Sequence, residues 1–385
     1  AEADVLLLCT GAGFSADSGL AVYADVATVP VYADRGLEYH DLCTPRWLSR
    51  EPELFWGFWG QCFNDYRETA PHEGYRIVAR WADRKFRHSN VAEAIRFRLA
   101  ETARSAQASS GDEAGAPPPY LVRDRAGAFF AFTSNVDAHH FDWFRACEIR
   151  ECHGNIELYQ CACRDGPCSA VWRAPTDFHF SVNKATMLAP RRSLPADRAA
   201  AAELAEQEPD ERQREAAPHV GHVRGGGRST TLRHMPPASA GHDLEVGFAT
   251  NHPACLSCQG PARPAVQMFG DTAWRDVPAQ AARWDDWVST VRELAAEEVV
   301  KSIVILEIGA GGRVTTVRKT SEQHLRTFRN AGTDVHLVRV NPDLPLGDSE
   351  ALAPAGELSH RVTSIMAGGL QSLLKIDAAL SDYLG

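Results

Sequence analysis

The stretch Val5-Leu6-Leu7-Leu8-Cys9-Thr10-Gly11-Ala12-Gly13 decides the fold of this chain. An apolar run that ends at glycine is typical of a buried parallel strand that enters a nucleotide-binding loop. Similar apolar runs recur at 128–133, Ser302–Ile308 and Asp334–Val340. We therefore expect these runs to be buried parallel strands.

Helical segments separate the apolar runs. Residues 52–66 are aromatic-rich, residues 74–84 are amphipathic, and residues 284–298 repeat apolar side chains at helical spacing. Strands that alternate with helices predict an α/β fold with a Rossmann-like, doubly wound parallel sheet.

Composition narrows the class of protein. The chain has 385 residues, 44% hydrophobic, and a formal net charge of −10. It is long enough for a large core and a second, small domain. The acidic excess argues against direct nucleic-acid binding, and no apolar run is long enough for a membrane span. Without a secretory signal at residues 1–20, we expect an intracellular protein, whether cytoplasmic, nuclear or mitochondrial.

Two stretches interrupt the alternation of strands and helices. Residues 105–119 are rich in Ala, Ser, Gly and Pro, which predicts a surface loop. Residues 190–245 are interpreted as an insertion that is helical in part. Its segment 195–227 is charged and poor in apolar residues, so we expect that a short Gly/Ser linker could replace it without loss of the rest of the fold.

The first candidate site is the glycine motif Gly11-Ala12-Gly13-Phe14-Ser15-Ala16-Asp17-Ser18-Gly19. Glycines after a strand let backbone N–H groups approach a pyrophosphate, and the following helix N-terminus favours negative charge. The alternative is a tight strand-to-helix turn without a ligand. A second glycine loop, Gly309-Ala310-Gly311, follows the run at 302–308. Asn341 comes after the next run and could bind a ribose hydroxyl or merely start a turn.

Two further motifs carry polar side chains. Thr133-Ser134-Asn135-Val136-Asp137 follows an apolar run, where ligands bind in open α/β sheets. The same residue types also serve in Asx-turns and helix N-caps. The second motif is His153-Gly154-Asn155, where a loop histidine could act as a general base or could be a structural residue.

Cysteines form two groups along the chain. Cys255 and Cys258 make a C-x-x-C pair, whose turn lets two thiolates reach one metal ion. Cys161, Cys163 and Cys168 form an irregular group in which three cysteines compete for two places. Together the groups predict a tetrahedral zinc site in a small domain. The remaining cysteines are interpreted as ordinary buried or half-buried thiols: Cys9, Cys43, Cys62, Cys147 and Cys152.

The order of these motifs resembles that of the sirtuin family, which are NAD-dependent protein lysine deacylases. The likeness runs from about Val5 to Asn341 outside the insertions, and several shorter fragments extend it. These fragments are 41–45 (Asp-Leu-Cys-Thr-Pro), 52–55 (Pro-Glu-Leu-Phe), His140, Arg263-Pro264 and 269–271 (Phe-Gly-Asp).

The resemblance implies a domain order. Residues 1–150 would form the first part of a Rossmann-like NAD-binding domain, with a helical insert at about 36–85. Residues 151–270 would form the small zinc-binding domain, which carries the insertion at about 190–245. Residues 271–385 would complete the Rossmann-like domain.

The resemblance also implies a mechanism. Asn135 and Asp137 would favour loss of nicotinamide from NAD, and the acyl oxygen of the substrate would attack the C1′ carbon of the ribose. His153 would then act as general base on a ribose hydroxyl, giving free lysine and an O-acyl-ADP-ribose. The residues implied to bind NAD are Gly11, Ala12, Gly13, Ser15, Gly19, Tyr23, Ser134, Asn135, Asp137, Gly309, Ala310, Gly311 and Asn341.

The protein substrate would bind as a strand near residues 267–269 and after Gly311. The zinc ion would be structural, because four thiolates leave no open coordination position. Family members that remove acidic acyl groups carry Tyr-x-x-Arg where this chain has Trp59 and Cys62. Trp59 and Phe58 would make the wall of the acyl site apolar and aromatic, although Trp59 could instead merely pack in the core. Because no cation matches this position and Arg67 is out of register, we expect a neutral acyl group such as acetyl or a longer chain.

The chain departs from the family pattern at three places. Ala21-Val22-Tyr23-Ala24 stands where Pro-Asp-Phe-Arg is usual, so the arginine of the cofactor loop is missing. Ser134 replaces glutamine, and Gly309-Ala310-Gly311 replaces Gly-Thr-Ser. Arg35 could take the place of the missing arginine, and Arg313 could assist at a phosphate.

Other functions remain open on the same scaffold. An NAD glycohydrolase or an ADP-ribosyltransferase would pass the ribose to water or to another nucleophile. A non-catalytic module would sense NAD without turnover. A simple dehydrogenase is disfavoured, because the G-x-G-x-x-G fingerprint with a following acidic residue is absent.

Overall fold

The computed structural model describes residues 2–21, 29–109, 125–163, 168–192 and 242–384. Tyr23 and most of the expected insertion at 190–245 lie outside the described residues, and so does the greater part of the expected loop at 105–119.

A six-stranded parallel sheet forms the centre of the fold, with the strand order β3-β2-β1-β7-β8-β9. The predicted doubly wound α/β sheet is confirmed. The apolar runs at 302–308 and 334–340 have the same first and last residues as strands of this sheet. In the run at 128–133, the strand begins at the second residue, Phe129. The strands of this sheet are β1 (Val5–Thr10), β2 (Phe129–Thr133), β3 (Ile149–Glu151), β7 (Ser302–Ile308), β8 (Asp334–Val340) and β9 (Val362–Ile365).

The strand order places a topological switch point between β1 and β7. The chain continues from β1 to β2 and β3 on one side, whereas β7, β8 and β9 lie on the other side. The two loops that leave these neighbouring strands therefore diverge, and a crevice opens at their carboxyl ends. Ligands of doubly wound sheets bind at such a crevice.

Helices cover the sheet and fill the connections. Their bounds are α1 (Ala12–Ala16), α2 (Pro30–Asp34), α3 (Tyr39–Leu42), α4 (Arg46–Arg50), α5 (Pro52–Glu68), α6 (Glu73–Trp81), α7 (Asn90–Ser109), α8 (His242–Gly247), α9 (Pro278–Ala296), α10 (Thr316–Asn330) and α11 (Gly369–Leu384). No helix in the described part of the chain is long and apolar enough to cross a membrane.

Three sequence expectations need correction at helix ends. The expected helix at 74–84 ends as an α-helix at Trp81 and continues as a π-helical turn at Ala82–Phe86. The expected helix at 284–298 starts earlier, at Pro278, since proline is favourable in the first turn of a helix. Residues 105–109 are not loop but the last residues of α7, because their Ala and Ser residues do not stop a helix as Gly and Pro do.

A smaller antiparallel sheet, with the order β5-β4-β6, lies beside the first. Its strands are β4 (Gly154–Cys161), β5 (Val171–Arg173) and β6 (Ala262–Val266). Its core is continuous with the aromatic face of α5, where Trp56 stacks on Phe180 with ring centroids 5.3 Å apart. The helix at 52–68 thus packs on the small sheet, while the domain boundaries drawn from the resemblance stay a prediction.

A buried ion pair fastens the end of α5 to this small sheet. The Arg67 guanidinium donates to both carboxylate oxygens of Glu157 on β4, at 2.7 and 2.6 Å, and to the carbonyls of Thr176 and Phe178. Its donors are directed into the protein, so Arg67 is fully engaged in holding α5 in place.

A second buried ionic cluster lies below the loop that follows β7. The Arg339 side chain on β8 is fully buried and lies 2.7 Å from Glu307 and 3.1 Å from Glu322. Arg318 on α10 lies 2.5 Å from Asp348, and both guanidinium groups donate to the Leu346 carbonyl. The cluster therefore ties two strands, a helix and the loop at 344–349 together.

We predict that Arg339→Met lowers the free energy of unfolding by about 3–5 kcal/mol, because it leaves the Glu307 carboxylate buried without its partner. Urea denaturation of the full chain measures this change. The matched control is Lys319→Met, which removes an exposed cation of α10 and should change stability by less than about 0.5 kcal/mol.

The double variant Glu307→Met/Arg339→Met removes both charges, so it should be more stable than Arg339→Met alone. Equal stability of Arg339→Met and the unmodified protein would show that the cluster contributes nothing.

Candidate active site and metal centre

One cleft opens at the switch point among the described residues, with about 940 Å³ of empty space including its open side. It lies between the carboxyl ends of the large sheet and the edge of the small sheet. Its walls are formed by Ala12, Ser15, Leu20, Ala21, Tyr39, Cys43, Tyr66, Ser134, Asn135, Val136, Asp137, His153, Val266, Gln267, Met268, Phe269 and Val314.

The two glycine loops interlock at the base of the cleft. Gly309 has a φ of +66°, and a Cβ there would lie 2.3 Å from the backbone nitrogen of Phe14. The N–H groups of Gly11 and Gly13 donate to the carbonyls of Ile308 and Gly309, each at 3.0 Å. These glycines thus permit close packing of two loops, and their N–H groups are directed at protein carbonyls.

A compact polar cluster forms one wall of the cleft. Ser15 on α1 donates a short hydrogen bond to the Asp137 carboxylate and accepts one from the Asn135 amide at 2.9 Å. The Tyr75 hydroxyl lies 3.4 Å from the same Ser15 oxygen. Ser15, Asn135 and Asp137 are all buried. Their hydrogen bonds hold an amide and a carboxylate side by side at the wall of the cleft.

The surroundings of Asp137 favour its ionised form. Burial opposes ionisation, but nearby His139 and His140 and the hydrogen bonds from Ser15 and the His139 N–H outweigh it and lower the pKa of Asp137. Burial lowers the pKa of His140 to about 4. Its ring lies 2.9 Å from the Thr10 hydroxyl at the end of β1. Asp137 can therefore offer negative charge to a group in the cleft.

His153 also lines the cleft, in the turn that joins β3 to β4. Gly154 makes this turn possible, because its φ is +82° and a Cβ would lie 1.9 Å from the Ala265 carbonyl oxygen. Burial and the neighbouring Arg150 lower the pKa of His153. The imidazole is therefore neutral near pH 7 and able to accept a proton. Its Nε2 lies 3.2 Å from the Thr316 hydroxyl.

A buried acid braces the same turn. The Glu151 carboxylate accepts hydrogen bonds from Asn155 at 2.7 Å and from Gln280 at 3.3 Å. Burial raises the pKa of Glu151 to about 8. Nothing in its sequence position distinguishes this residue, so only the folded structure identifies it as support for the histidine turn.

The remaining wall of the cleft is neutral and largely apolar. It includes Tyr39, Cys43, Tyr66, Val136 and Phe269. The expectation that Phe58 and Trp59 form this wall needs correction, because both pack in the interior of the small core and neither lines the cleft. Arg67 is directed away from the cleft, into its pair with Glu157.

Several expected cofactor residues have structural partners instead of facing the cleft. The Asn341 amide donates to the Ala310 carbonyl at 2.9 Å, and its oxygen accepts from the N–H groups of Asp343 and Leu344. This is the turn-forming role that the sequence left open. Arg35 pairs with both carboxylate oxygens of Glu51.

The structure thus divides the expected cofactor residues. Ala12, Ser15, Ser134, Asn135 and Asp137 line the cleft together with His153. Behind or beside this lining lie Gly11, Gly13, Gly19, Gly309, Ala310, Gly311 and Asn341, and Tyr23 is outside the described residues. Sequence reasoning missed Tyr39, Tyr66 and Val136 of the apolar wall, whereas the expected substrate strand near 267–269 and the fragment that contains Cys43 do line the cleft.

Four cysteines meet at the edge of the small sheet. The sulfur atoms of Cys161, Cys168, Cys255 and Cys258 all lie within 4.8 Å of one another. A zinc ion with bonds of about 2.3 Å to sulfur needs tetrahedral edges of about 3.8 Å, and Cys161 and Cys258 are 3.7 Å apart. The Gly260 N–H lowers the pKa of Cys258 to about 7, which favours a thiolate. The four thiols fit one structural zinc ion.

Cys163 is the cysteine left over from the irregular group. Its sulfur lies 3.9 Å from that of Cys258, but it is not among the four mutually close thiols. Its backbone N–H instead donates to the Cys161 sulfur at 3.4 Å. The fold therefore resolves the competition in favour of Cys161 and Cys168, and Cys163 supports a ligand.

We predict that elemental analysis finds one zinc ion per chain and that Cys163→Ser retains it. Cys168→Ser and Cys255→Ser should lose the metal and melt at lower temperature, because a structural zinc ion stabilises the fold that binds it. The pair Cys163→Ser and Cys168→Ser is the critical comparison. Loss of zinc from Cys163→Ser alone would contradict the ligand set.

Comparisons with known proteins place this geometry among solved structures. No protein-family model matches the chain, and no curated protein matches it. A Sir2 homologue triple mutant in complex with 2′-O-acetyl ADP-ribose is 14% identical, with a TM-score of 0.50 over 100% of this chain and 94% of its own. A Sir2 homologue–NAD complex is also 14% identical, with a TM-score of 0.48 over 100% and 92%.

A third solved structure, a Sir2 homologue mutant in complex with ADP-ribose, is 14% identical, with a TM-score of 0.47 over 100% of this chain and 94% of its own. At this identity the similarity concerns the fold alone. The statement about the fold rests on the match with a TM-score of 0.50. As the order of the motifs predicted, the chain has a sirtuin-like fold.

Proposed function

We propose that this protein is an NAD-dependent protein lysine deacylase. The observation that carries the proposal is the cleft at the switch point, which is lined both by the Asn135–Ser15–Asp137 cluster and by the neutral imidazole of His153. The cluster can thus stabilise positive charge and bind an amide, while the imidazole can accept a proton. The sirtuin-like fold supports NAD as the co-substrate.

The polar cluster would act on the nicotinamide half of NAD. The Asn135 amide and the Asp137 carboxylate suit a planar carboxamide, which both donates and accepts hydrogen bonds. The Asp137 carboxylate would also stabilise positive charge as the bond from C1′ to nicotinamide breaks. The electron pair of that bond leaves with nicotinamide, and the acyl oxygen of the substrate lysine forms the new bond to C1′.

His153 would act in the second half of the reaction. A ribose hydroxyl gives its proton to the imidazole while its oxygen attacks the carbonyl carbon of the bound acyl group. Because burial and Arg150 lower the pKa of His153, the imidazole is neutral and ready to accept this proton at physiological pH. The imidazolium can return this proton to the lysine nitrogen as its bond to the acyl carbon breaks, which leaves that carbon bonded to two ribose oxygens. Water then adds to the carbon and releases a proton, and the bond from the carbon to the C1′ oxygen breaks, so the acyl group stays on the neighbouring ribose oxygen.

The pyrophosphate needs donors other than Gly11 and Gly13, whose N–H groups bind protein carbonyls. The N-terminus of the 15-residue helix α10 offers free backbone N–H groups and a favourable dipole. Arg313, exposed in the loop before it, supplies a cation. These groups compensate for the absence of the usual loop arginine.

We predict that His153→Ala lowers kcat with NAD and an acetyl-lysine peptide by at least ~100-fold, as is typical for removal of a general base. Its melting temperature and its affinity for NAD should stay near those of the unmodified protein, because the half-buried ring contributes little core. Mass spectrometry of the products measures turnover. His360→Ala, which removes an exposed histidine, is the control and should keep full activity.

The same assay separates the deacylase from its alternatives. Nicotinamide release that depends on the acylated peptide and yields O-acyl-ADP-ribose supports deacylation. Peptide-independent release of nicotinamide would indicate an NAD glycohydrolase. A mass gain of ADP-ribose on the peptide would indicate a transferase, and NAD binding without turnover would indicate a sensor. Each of these last three results would contradict the proposal.

We predict that kcat/KM is higher for acetyl- and myristoyl-lysine peptides than for a succinyl-lysine peptide. The wall near Tyr66, Val136 and Phe269 carries no cation among the described lining residues, and Arg67 is held by Glu157. A buried carboxylate without a partner costs several kcal/mol, so we expect a preference of at least ~10-fold.

The matched control for acyl selectivity is a peptide whose succinyl carboxylate is converted to the neutral amide. It has the same shape without the charge, so it should be deacylated faster than the succinyl peptide. A clear preference for the succinyl peptide would mean that a cation reaches the cleft.

A further inference from the structure

Within the described part of the chain, the His153 imidazole has one side-chain hydrogen-bond partner, and that partner is not a carboxylate. Its Nε2 lies 3.2 Å from the Oγ1 of Thr316, which is the first residue of α10. The contact joins the turn between β3 and β4 to the helix that follows the second glycine loop, 163 positions later in the chain. Through this contact His153 touches α10, one of the helices that cover the large sheet.

We infer that Thr316 is a positioning residue for His153: its hydroxyl holds the orientation of the imidazole ring, and we assign the Nε2–H tautomer, in which this N–H donates to the Thr316 oxygen. The inference rests on the proposed function, because it concerns the base of that reaction. A neutral imidazole carries one N–H and one lone pair. With Nε2–H donating to the Thr316 oxygen, the lone pair is on Nδ1, which is then the atom that accepts the ribose proton.

The hydroxyl suits both protonation states of the ring. Before proton transfer, Nε2–H donates to the Thr316 oxygen. After transfer, the imidazolium carries a proton on each nitrogen and Nε2–H keeps the same partner. No hydrogen bond has to be exchanged during the step, so the ring is held in its reactive orientation throughout.

The nature of the partner also matters. A carboxylate beside the ring would raise the pKa of His153, whereas a neutral hydroxyl leaves the lowering by burial and Arg150 in force. The positive end of the α10 dipole acts in the same direction. Thr316 therefore orients the base without turning it into a permanent cation.

Three variants of the full zinc-loaded chain test this inference by kinetics. Thr316→Val keeps the shape and removes the hydroxyl, so kcat should fall by roughly 10-fold while KM for NAD and for peptide changes less than about 2-fold. Thr316→Ser restores the hydroxyl and should recover kcat. Thr327→Val is the matched control, because it removes a threonine hydroxyl near the other end of the same helix, where that hydroxyl donates only to the Gln323 carbonyl, and it should leave kcat unchanged.

A spectroscopic measurement tests the same contact without turnover. Nitrogen-15 NMR of histidine-labelled protein, with the His153 signals identified by their loss in His153→Ala, reports the tautomer of the ring. The Nε2–H form should dominate in the unmodified protein and in Thr316→Ser, and a mixture should appear in Thr316→Val.

The two measurements keep the inference separate from the proposed function. If the unmodified protein turns over no acyl peptide, the proposed function fails and the tautomer alone decides the role of Thr316. An unchanged kcat in Thr316→Val, or an unchanged tautomer, would overturn the inference.

Discussion

The contact between the loops after β1 and β7 is the constraint on which the site depends. These strands are neighbours at the switch point of the sheet, and Gly309 approaches Phe14 so closely that a side chain has no space. Because the two loops bind each other's backbone, α1 and α10 leave the sheet from fixed positions. Ser15 thereby lines the cleft, and Thr316 contacts His153 from the other side of the switch point. Gly11, Gly13 and Gly309 are thus needed because they let the two loops pack closely against each other.

Charge buried around this contact makes it rigid. Below the second loop, the two guanidinium groups of Arg318 and Arg339 lie within ion-pair distance of three carboxylates, those of Glu307, Glu322 and Asp348. Above the first loop, Asp137 keeps its charge through nearby His139 and through hydrogen bonds from Ser15 and the His139 N–H. A buried ionic group is costly unless its partners are held in good geometry. The fold therefore keeps buried charge on both sides of this loop contact, in a structural cluster below it and at the Asp137 carboxylate above it.

The small sheet supplies the other half of the cleft. Its strand β4 begins directly after His153, and Gly154 lets the chain turn tightly against β6. At the far end of β4, Cys161 enters the four-thiol cluster, while Arg67 binds Glu157 near the middle. A zinc ion at one end and an ion pair along the strand hold β4 in place, and the histidine turn at its start is held with it.

The sequence by itself determined the α/β class, most strands of the large sheet and the order of motifs, since apolar runs that end at Gly or Asn depend on local pattern alone. It also indicated Ser15, Asn135, Asp137 and His153, which the fold brings to one cleft. The tertiary structure decided what local pattern does not encode. It placed Cys161 and Cys168, but not Cys163, in the four-thiol cluster, and it engaged the Asn341 side chain in the hydrogen bonds of a turn. It also buried Trp59, directed Arg67 to Glu157 and placed Thr316 beside His153. Each of these depends on partners distant in the chain, and such pairings arise only when the sheets and helices pack.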